Sequence, residues 1–290
     1  MSKAEIKLIA VDLDGTLLNS AHQIGERSEK ALKAAIEKGV QVVIATGKSV
    51  RGGKGVVEQL KLKTPGVYGQ GTTVYRADGT LLTETTIDRM LVRQIVTFAE
   101  DRGFQVALYN RDRILVREDS LRLRQLTVDY HEPAPERVGP LQNVLDNVSI
   151  HKILITKPGD GRAVSALRWQ LSMQIQNRAS LLQVGIVDLL EILPPGVSKG
   201  SGLKQLIKEM GVPASAVLAI GDAENDVEML QLAGTSVAMG NASDHVKSVA
   251  KHVVASNDAD GVAEAVERFV LNVEAPPVLS QAISESKAAD

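Results

Sequence analysis

Ile6-Lys7-Leu8-Ile9-Ala10-Val11-Asp12-Leu13-Asp14-Gly15-Thr16 decides how the rest of the chain is read. The run from Ile6 to Val11 is apolar except for Lys7, and Asp12 ends it abruptly. It is too short for a signal-peptide core and far too short to span a bilayer, so it reads as a buried strand. A chain leaving the carboxyl end of a parallel strand opens into the crevice where α/β proteins bind ligands. Two carboxylates placed there, two residues apart, can share one space. One would serve as nucleophile or metal ligand and the other as general acid/base. The plain alternative is a solvated turn, because Asp and Gly are common turn residues.

Working outward, the same rhythm repeats. A helical spacing of Ala31, Leu32, Ala35 and Ile36 predicts a helix over Arg27–Lys38 stopped by Gly39, followed by a strand at Val40–Ala45. A weaker helix is expected from Gly55 to Leu62 and a short strand at Val67–Gln70. Strands apolar on both faces and separated by helices imply a parallel α/β sheet. The pattern then changes. Ala77-Asp78-Gly79 marks a hairpin between Thr72–Arg76 and Thr80–Glu84. Beyond it lie a helix at Ile87–Arg102 and paired strands at Phe104–Tyr109 and Arg113–Arg117. A proline-containing loop at 133–140 precedes a strand at Ser149–Thr156, a helix at Arg162–Met173 and two strands within Leu181–Leu193. From Pro194 the α/β alternation resumes: a helix over Gly200–Met210, a strand at Val217–Ile220, a helix over Asn225–Ala233 and a strand at Ser236–Met239. The expected organisation is a Rossmann-like parallel-sheet core, residues 1–84 and 194–273, interrupted by an α+β insert over 85–193. Residues 274–290 are expected to be a disordered tail.

Composition narrows the function classes. The 290 residues carry 33 Lys+Arg against 35 Asp+Glu, a net charge of −2, which provides no broad field for nucleic acid or an anionic membrane. Aromatics at 3% leave few stacking platforms for single strands. The absence of cysteine removes disulfides, thiolate nucleophiles and Cys-based metal sites. These features lead us to expect a soluble cytoplasmic protein, a monomer or homodimer, that binds neither nucleic acid nor membrane.

Gly221-Asp222-Ala223-Glu224-Asn225-Asp226 repeats the opening arrangement after the strand Val217–Ile220. Asp and Asn also cap helices, so this cluster alone has an ordinary explanation. Two acidic clusters at the ends of two strands, however, concentrate negative charge in one crevice. A cation must offset it, and hard oxygen ligands suit Mg²⁺. Thr46-Gly47 ends another strand with a hydroxyl and open backbone N–H groups suited to phosphate oxygens. Lys199 just before a helix adds a point charge there. Either element alone is common and says little.

The order Asp12-x-Asp14-Gly15-Thr16, Thr46-Gly47, Lys199-Gly200, Gly221-Asp222-x-x-Asn225-Asp226 resembles the four motifs of the haloacid dehalogenase superfamily. Within it the chain is similar to the Cof-like sugar-phosphatase group (subclass IIB), whose large α/β cap is inserted between the second and third motifs. Ala233-Gly234-x-Ser236-Val237-Ala238-Met239-Gly240-Asn241-Ala242 matches that group's stretch after the fourth motif. The resemblance implies a Mg²⁺-dependent phosphatase acting on a small phosphorylated metabolite, such as a sugar phosphate. Asp12 would be the nucleophile that forms an aspartyl-phosphate, and Asp14 the general acid/base. Thr46, Gly47, Lys199 and Asn225 would hold phosphate. The Asp12 carboxylate, the Asp14 carbonyl and Asp222 would bind the metal, and Asp226 would orient its neighbours. A phosphotransferase or mutase, or a catalytically weak sensor, are the alternatives on the same fold.

Two departures stand out: Lys48 where the group commonly has Arg, and Gln70-Gly71 where it often has Asn-Gly. Both positions are expected to lie outside the catalytic core and to affect substrate contacts or the turn. In the insert, Tyr109–Arg113 reads as a polar hairpin turn. Arg122 and Arg124 read as a solvated helix face, Trp169 and Met173 as core packing, and His151-Lys152 as an edge or surface position. None of these residues is nominated for specificity.

Overall fold

The computed structural model describes residues 5–183 and 186–273. The expected tail at 274–290 lies outside the described residues. The strands fall into two sheets. The first contains Leu8–Val11 (β1), Gln41–Ala45 (β2), Gly66–Tyr68 (β3), Thr73–Tyr75 (β4) and Leu81–Glu84 (β5) from the first part of the chain. The second contains Gln105–Asn110 (β6), Arg113–Val116 (β7), Glu136–Arg137 (β8), Lys152–Thr156 (β9), Ser180–Leu182 (β10) and Leu189–Leu193 (β11). The chain then returns to the first sheet with Val217–Gly221 (β12), Thr235–Ala238 (β13) and His252–Val253 (β14). The helices are Glu26–Glu37 (α1), Val50–Gln59 (α2), Arg89–Glu100 (α3), Leu121–Asp129 (α4), Gly161–Ile175 (α5), Lys199–Glu209 (α6), Val227–Leu232 (α7), Asp244–Val249 (α8) and Gly261–Val266 (α9).

The core sheet runs β14-β13-β12-β1-β2-β3-β4-β5, parallel from β14 to β3 and closed by the antiparallel β4 and β5. Alternation along β1 serves two helical layers. Ile9 and Val11 pack with Leu32 of α1 and Val262 of α9, whereas Leu8 and Ala10 pack with Leu203 of α6 and Met229 of α7. Both faces are therefore covered, which is why the strand is apolar throughout. The register places Val11 level with Ile220 of β12 and Ile44 of β2. The residues just beyond these positions therefore emerge together at one edge of the sheet: Asp12, Thr46 and Asp222.

The second sheet runs β10-β11-β9-β6-β7-β8 and is antiparallel except between β7 and β8. One face carries Val106, Leu108, Ile153 and Ile155 and is covered by α3 and α5. The other face, with Ala107, Tyr109 and Leu154, is only partly covered by α4. This is a Rossmann-like core with an inserted α+β cap. No helix among the described residues is long and apolar enough to cross a membrane.

Several elements differ from the sequence reading. The strand expected at Val67–Gln70 stops at Tyr68, because Gly69–Gly71 forms a tight turn with Gln70 at φ 63°. Helix α2 starts at Val50, capped by the Ser49 side chain, rather than at Gly55. Its glycines hide it from propensity reasoning. Yet a Cβ on Gly53 would lie 3.0 Å from the Tyr68 ring, so close packing selects glycine there. The helix expected at Asn225–Ala233 begins as a 3₁₀ turn, Glu224–Asp226, before α7. Trp169 and Met173 are not core residues: they lie exposed on the outer side of α5, which buries Val164, Leu167 and Leu171 instead. His151 and Lys152 are not surface positions, since both are buried.

Candidate active site

Asp12 follows β1 directly and is buried. Lys199, the first residue of α6, reaches it with Nζ 2.7 Å from Asp12 Oδ1, and the same ammonium lies 2.8 Å from Asp226 Oδ1. Ser198 sets this helix start: its side chain accepts from the Ser201 amide while the Ser201 hydroxyl accepts from the Ser198 amide. Gly71, at φ +95°, lets the β3–β4 turn approach that cap, because a Cβ there would fall 2.1 Å from the Ser198 carbonyl oxygen. Asp226 spends its second oxygen on the loop after β12, where Oδ2 accepts from the amides of Asp222 and Ala223 at 3.1 Å each.

Carboxylate oxygens of Asp12, Asp222 and Asp226 lie within 4.8 Å of one another. With both Asp226 oxygens engaged, Asp12 and Asp222 are the pair left to face a cation. Asp222 accepts a hydrogen bond from Thr16 Oγ1 at 2.8 Å. Gly15, at φ +77°, passes so close that a Cβ would sit 2.5 Å from Asp222 Oδ2. Asn241 ties the two loops together by donating to the Gly15 carbonyl at 2.8 Å. Burial, then the Asp226 charge, pushes the Asp222 carboxyl up to about 6, against the opposing Thr16 hydrogen bond. Burial and Asp226 likewise raise the Asp12 carboxyl well above the ordinary range, with Lys199 opposing. Burial pulls the Lys199 ammonium down, but Asp12 and Asp226 outweigh it and hold its pKa above the usual value. The all-oxygen donor set and the mutual repulsion of Asp12 and Asp222 fit a hard divalent cation. The buried Asn225 Oδ1, which has no hydrogen-bond partner among the described residues, also fits as an acceptor for a metal-bound water.

Asp14 points into the same space. Its Oδ2 lies 3.0 Å from the buried Lys48 Nζ, and its Oδ1 is 3.6 Å from His22 Nδ1. Lys48, expected to lie outside the catalytic core, contacts the Asp14 carboxylate and also donates to the Tyr130 carbonyl of the cap at 2.6 Å. Gly47 lines the cavity, whereas Thr46 lies behind it, with Oγ1 accepting from the Lys48 amide at 3.1 Å. Asn225 lines the cavity and donates to Gln70 Oε1 at 3.0 Å.

Above these groups the cap closes a cavity of about 590 Å³. Lys152 Nζ contacts Glu191 Oε1 at 2.8 Å and the core carbonyl of Gly47 at 3.1 Å. Glu191 Oε2 in turn accepts from Gln70 Nε2 at 2.9 Å. A second bridge joins Glu132 of the cap to the amide and hydroxyl of Ser49. Sequence reasoning missed Lys48, Gln70, Lys152, Glu191 and Asn241. The two departures at 48 and 70 were signals that pointed to two of them.

Residues 9–266 match the haloacid dehalogenase-like hydrolase family. The chain belongs to that family. Phosphatase YwpJ of Bacillus subtilis is 30% identical over 285 residues, covering 91% of this chain and all of that protein. The chloroplastic endoribonuclease YBEY of Arabidopsis thaliana is 36% identical over 279 residues, covering 92% of this chain. The chain spans only 47% of that protein's length. Among solved structures, a HAD/COF-like hydrolase from Plasmodium vivax superposes with a TM-score of 0.83 at 28% identity, covering 94% of this chain and 98% of that one. The haloacid dehalogenase-like hydrolase described here is accordingly a Cof-like member and a phosphoric monoester hydrolase.

Proposed function

We propose that the protein is a cytoplasmic, Mg²⁺-dependent phosphatase that hydrolyses a small phosphorylated metabolite in two steps through an aspartyl-phosphate. The observation that carries this reading is the Lys199 ammonium held between Asp12 and Asp226, beside Asp222 and beneath the cap. Lys199 favours the ionised Asp12, whose carboxylate oxygen attacks phosphorus. As the P–O ester bond breaks, the leaving oxygen takes a proton from Asp14. In the second step Asp14, now a carboxylate, accepts a proton from water as that water attacks phosphorus, which releases inorganic phosphate and regenerates Asp12. Lys48, in contact with Asp14, helps to hold that carboxyl in place. Gly47, Lys199 and Asn225 bind the phosphoryl oxygens, and Thr46, behind them, shapes the loop through the Lys48 amide. The Asp12 carboxylate, the Asp14 carbonyl and Asp222 would hold Mg²⁺, which when bound neutralises charge on the phosphoryl group. Asp226 acts by positioning Lys199 and the Asp222 loop.

The test is phosphate release from a substrate panel with Mg²⁺, with EDTA and with Asp12→Asn. Release that requires Mg²⁺ and falls at least ~10³-fold in the variant is the expected result. Metal-independent release, or full activity in Asp12→Asn, would overturn the mechanism.

A further inference from the structure

The cap face above the aspartates carries information about the rest of the substrate. Register places Leu182 of β10 opposite Glu191 of β11, Glu191 opposite Leu154 of β9, and Leu154 opposite Ala107 of β6. These residues form one row on the cavity side of the sheet, and Lys152 with Tyr109 forms the next. The charged groups of this wall are already committed. Glu132 spends both oxygens on Ser49, and Glu191 spends both on Lys152 and Gln70. Lys152 uses two of its three N–H groups on Glu191 and Gly47, while the Gln183 amide donates to the Val187 carbonyl. The surface left between them, among the described residues, is aliphatic: Leu126, Leu154, Leu182, Ile186 and Leu189, beside the Tyr109 ring. On this cap wall, what remains for polar recognition is mainly one Lys152 N–H, the Gln183 Oε1 and the hydroxyls of Tyr109 and Tyr130, while Asn19, Ser20 and Asn257 lie across the cavity on the core side.

Side chains on one face of a sheet stand side by side, and the aliphatic wall that Leu154, Leu182 and Leu189 form with Leu126 and Ile186 offers no hydrogen-bonding group to the face of a ring laid against it. A free sugar in the same place would press hydroxyls against leucine side chains. Each hydroxyl so stranded costs on the order of tenfold or more in specificity. Resting on the phosphatase reading above, we propose that the leaving group is a flat, largely apolar ring: the substrate is the phosphate ester of an aromatic or heteroaromatic primary alcohol, with one polar edge read beside Lys152 and Tyr109.

Benzyl phosphate and glucose 6-phosphate test this directly. Both are esters of primary alcohols, so intrinsic reactivity is matched and the difference reports the body. Acetyl phosphate, too small to fill the cap wall, reports whether the chain is a phosphatase at all. With the full chain and Mg²⁺, kcat/KM for benzyl phosphate should exceed that for glucose 6-phosphate by at least ~10-fold. Leu182→Asn, on an edge strand, should reduce that ratio several-fold, and Leu189→Asn gives an independent reading if the first variant folds poorly. Equal or better turnover of glucose 6-phosphate overturns the inference while the phosphatase reading stands, as does a ratio unmoved by both substitutions. Failure to release phosphate from all three compounds overturns both.

Discussion

Lys199 and Lys152 are buried almost equally, at 1% and 4% exposure, and both ammonium groups sit on carboxylates. Their surroundings differ in kind. Lys199 lies within the core between two aspartates, on elements joined by parallel-sheet register, so its contacts do not depend on where the cap is. Lys152 lies in the cap, and of its partners Glu191 is on the neighbouring cap strand while Gly47 belongs to the core. Glu191 also reaches Gln70 of the core. Burial lowers the Lys152 pKa, and Glu191 with Tyr109 outweighs it, leaving the ammonium charged. The floor of the site is thus built from the core alone, whereas the polar part of its roof needs groups from both sheets. On the proposed mechanism, reaction chemistry belongs to the first and selection of the substrate's body to the second.

The strongest way to break this contrast is at the floor. Lys199→Met strands Asp12 beside Asp226 in a buried site. The expected result is a loss of about 3–5 kcal/mol in denaturant unfolding and a fall of ~10³-fold or more in phosphate release. Lys152→Met should be milder, because Glu191 keeps Gln70. A loss of about 2 kcal/mol and roughly tenfold in kcat/KM, mostly in KM, is expected. Equal inactivation by the two variants would erase the distinction between floor and roof. Asp222→Asn sharpens the comparison from the opposite side. It removes a carboxylate whose pKa is raised by burial and by Asp226, so the metal-free protein should gain about 1–2 kcal/mol. The same variant should lose both activity and any thermal shift on adding Mg²⁺. The smallest effect lies where the core chain enters the cap.

There, Glu84 accepts from Arg111 Nε and Nη2 at 2.9 Å each and from His151 Nε2 at 2.6 Å. The His151 Nδ1 accepts from the Arg111 amide, so Nε2 carries the proton. The Arg111 hydrogen bonds, with a further contribution from His151, pull the Glu84 carboxyl down to about 2 from its ordinary 4.5. Its stabilisation is therefore complete above that ordinary value and lost as pH falls from about 4.5 toward 2. Because the site is partly solvated, the contribution is about 1 kcal/mol. Glu84→Gln should remove that part of the acid dependence in unfolding measured across this range.

The floor was legible in the sequence because its chemistry sits where strands end. Asp12, Asp222 and Thr46 each follow an apolar run, and parallel register brings such ends together without further information. The roof was not legible. Lys152 stands in an apolar run next to His151, and a lysine there reads as surface until Glu191, 39 residues on, is known to lie on the neighbouring strand. Lys48 and Gln70 stood out as departures from the family pattern, but their contacts with Asp14, Glu191 and Asn225 depend on a turn in which Gln70 adopts a positive φ. Helix periodicity misassigned Trp169 and Met173 because α5 has apolar residues on more than one side, and only the cap sheet shows which side is covered.

Asp226 shows how little latitude such a floor leaves. One of its oxygens accepts from an ammonium and the other from two backbone amides, so every contact it makes calls for an acceptor. Asparagine, though nearly the same shape, carries only one acceptor and would have to turn its NH₂ either on the Lys199 ammonium or on the amides of Asp222 and Ala223. Either choice sets donor against donor, and the rotamer that spares the Lys199 ammonium spoils the loop that carries Asp222. A single side chain thereby couples two halves of the site that substitution could not tune separately.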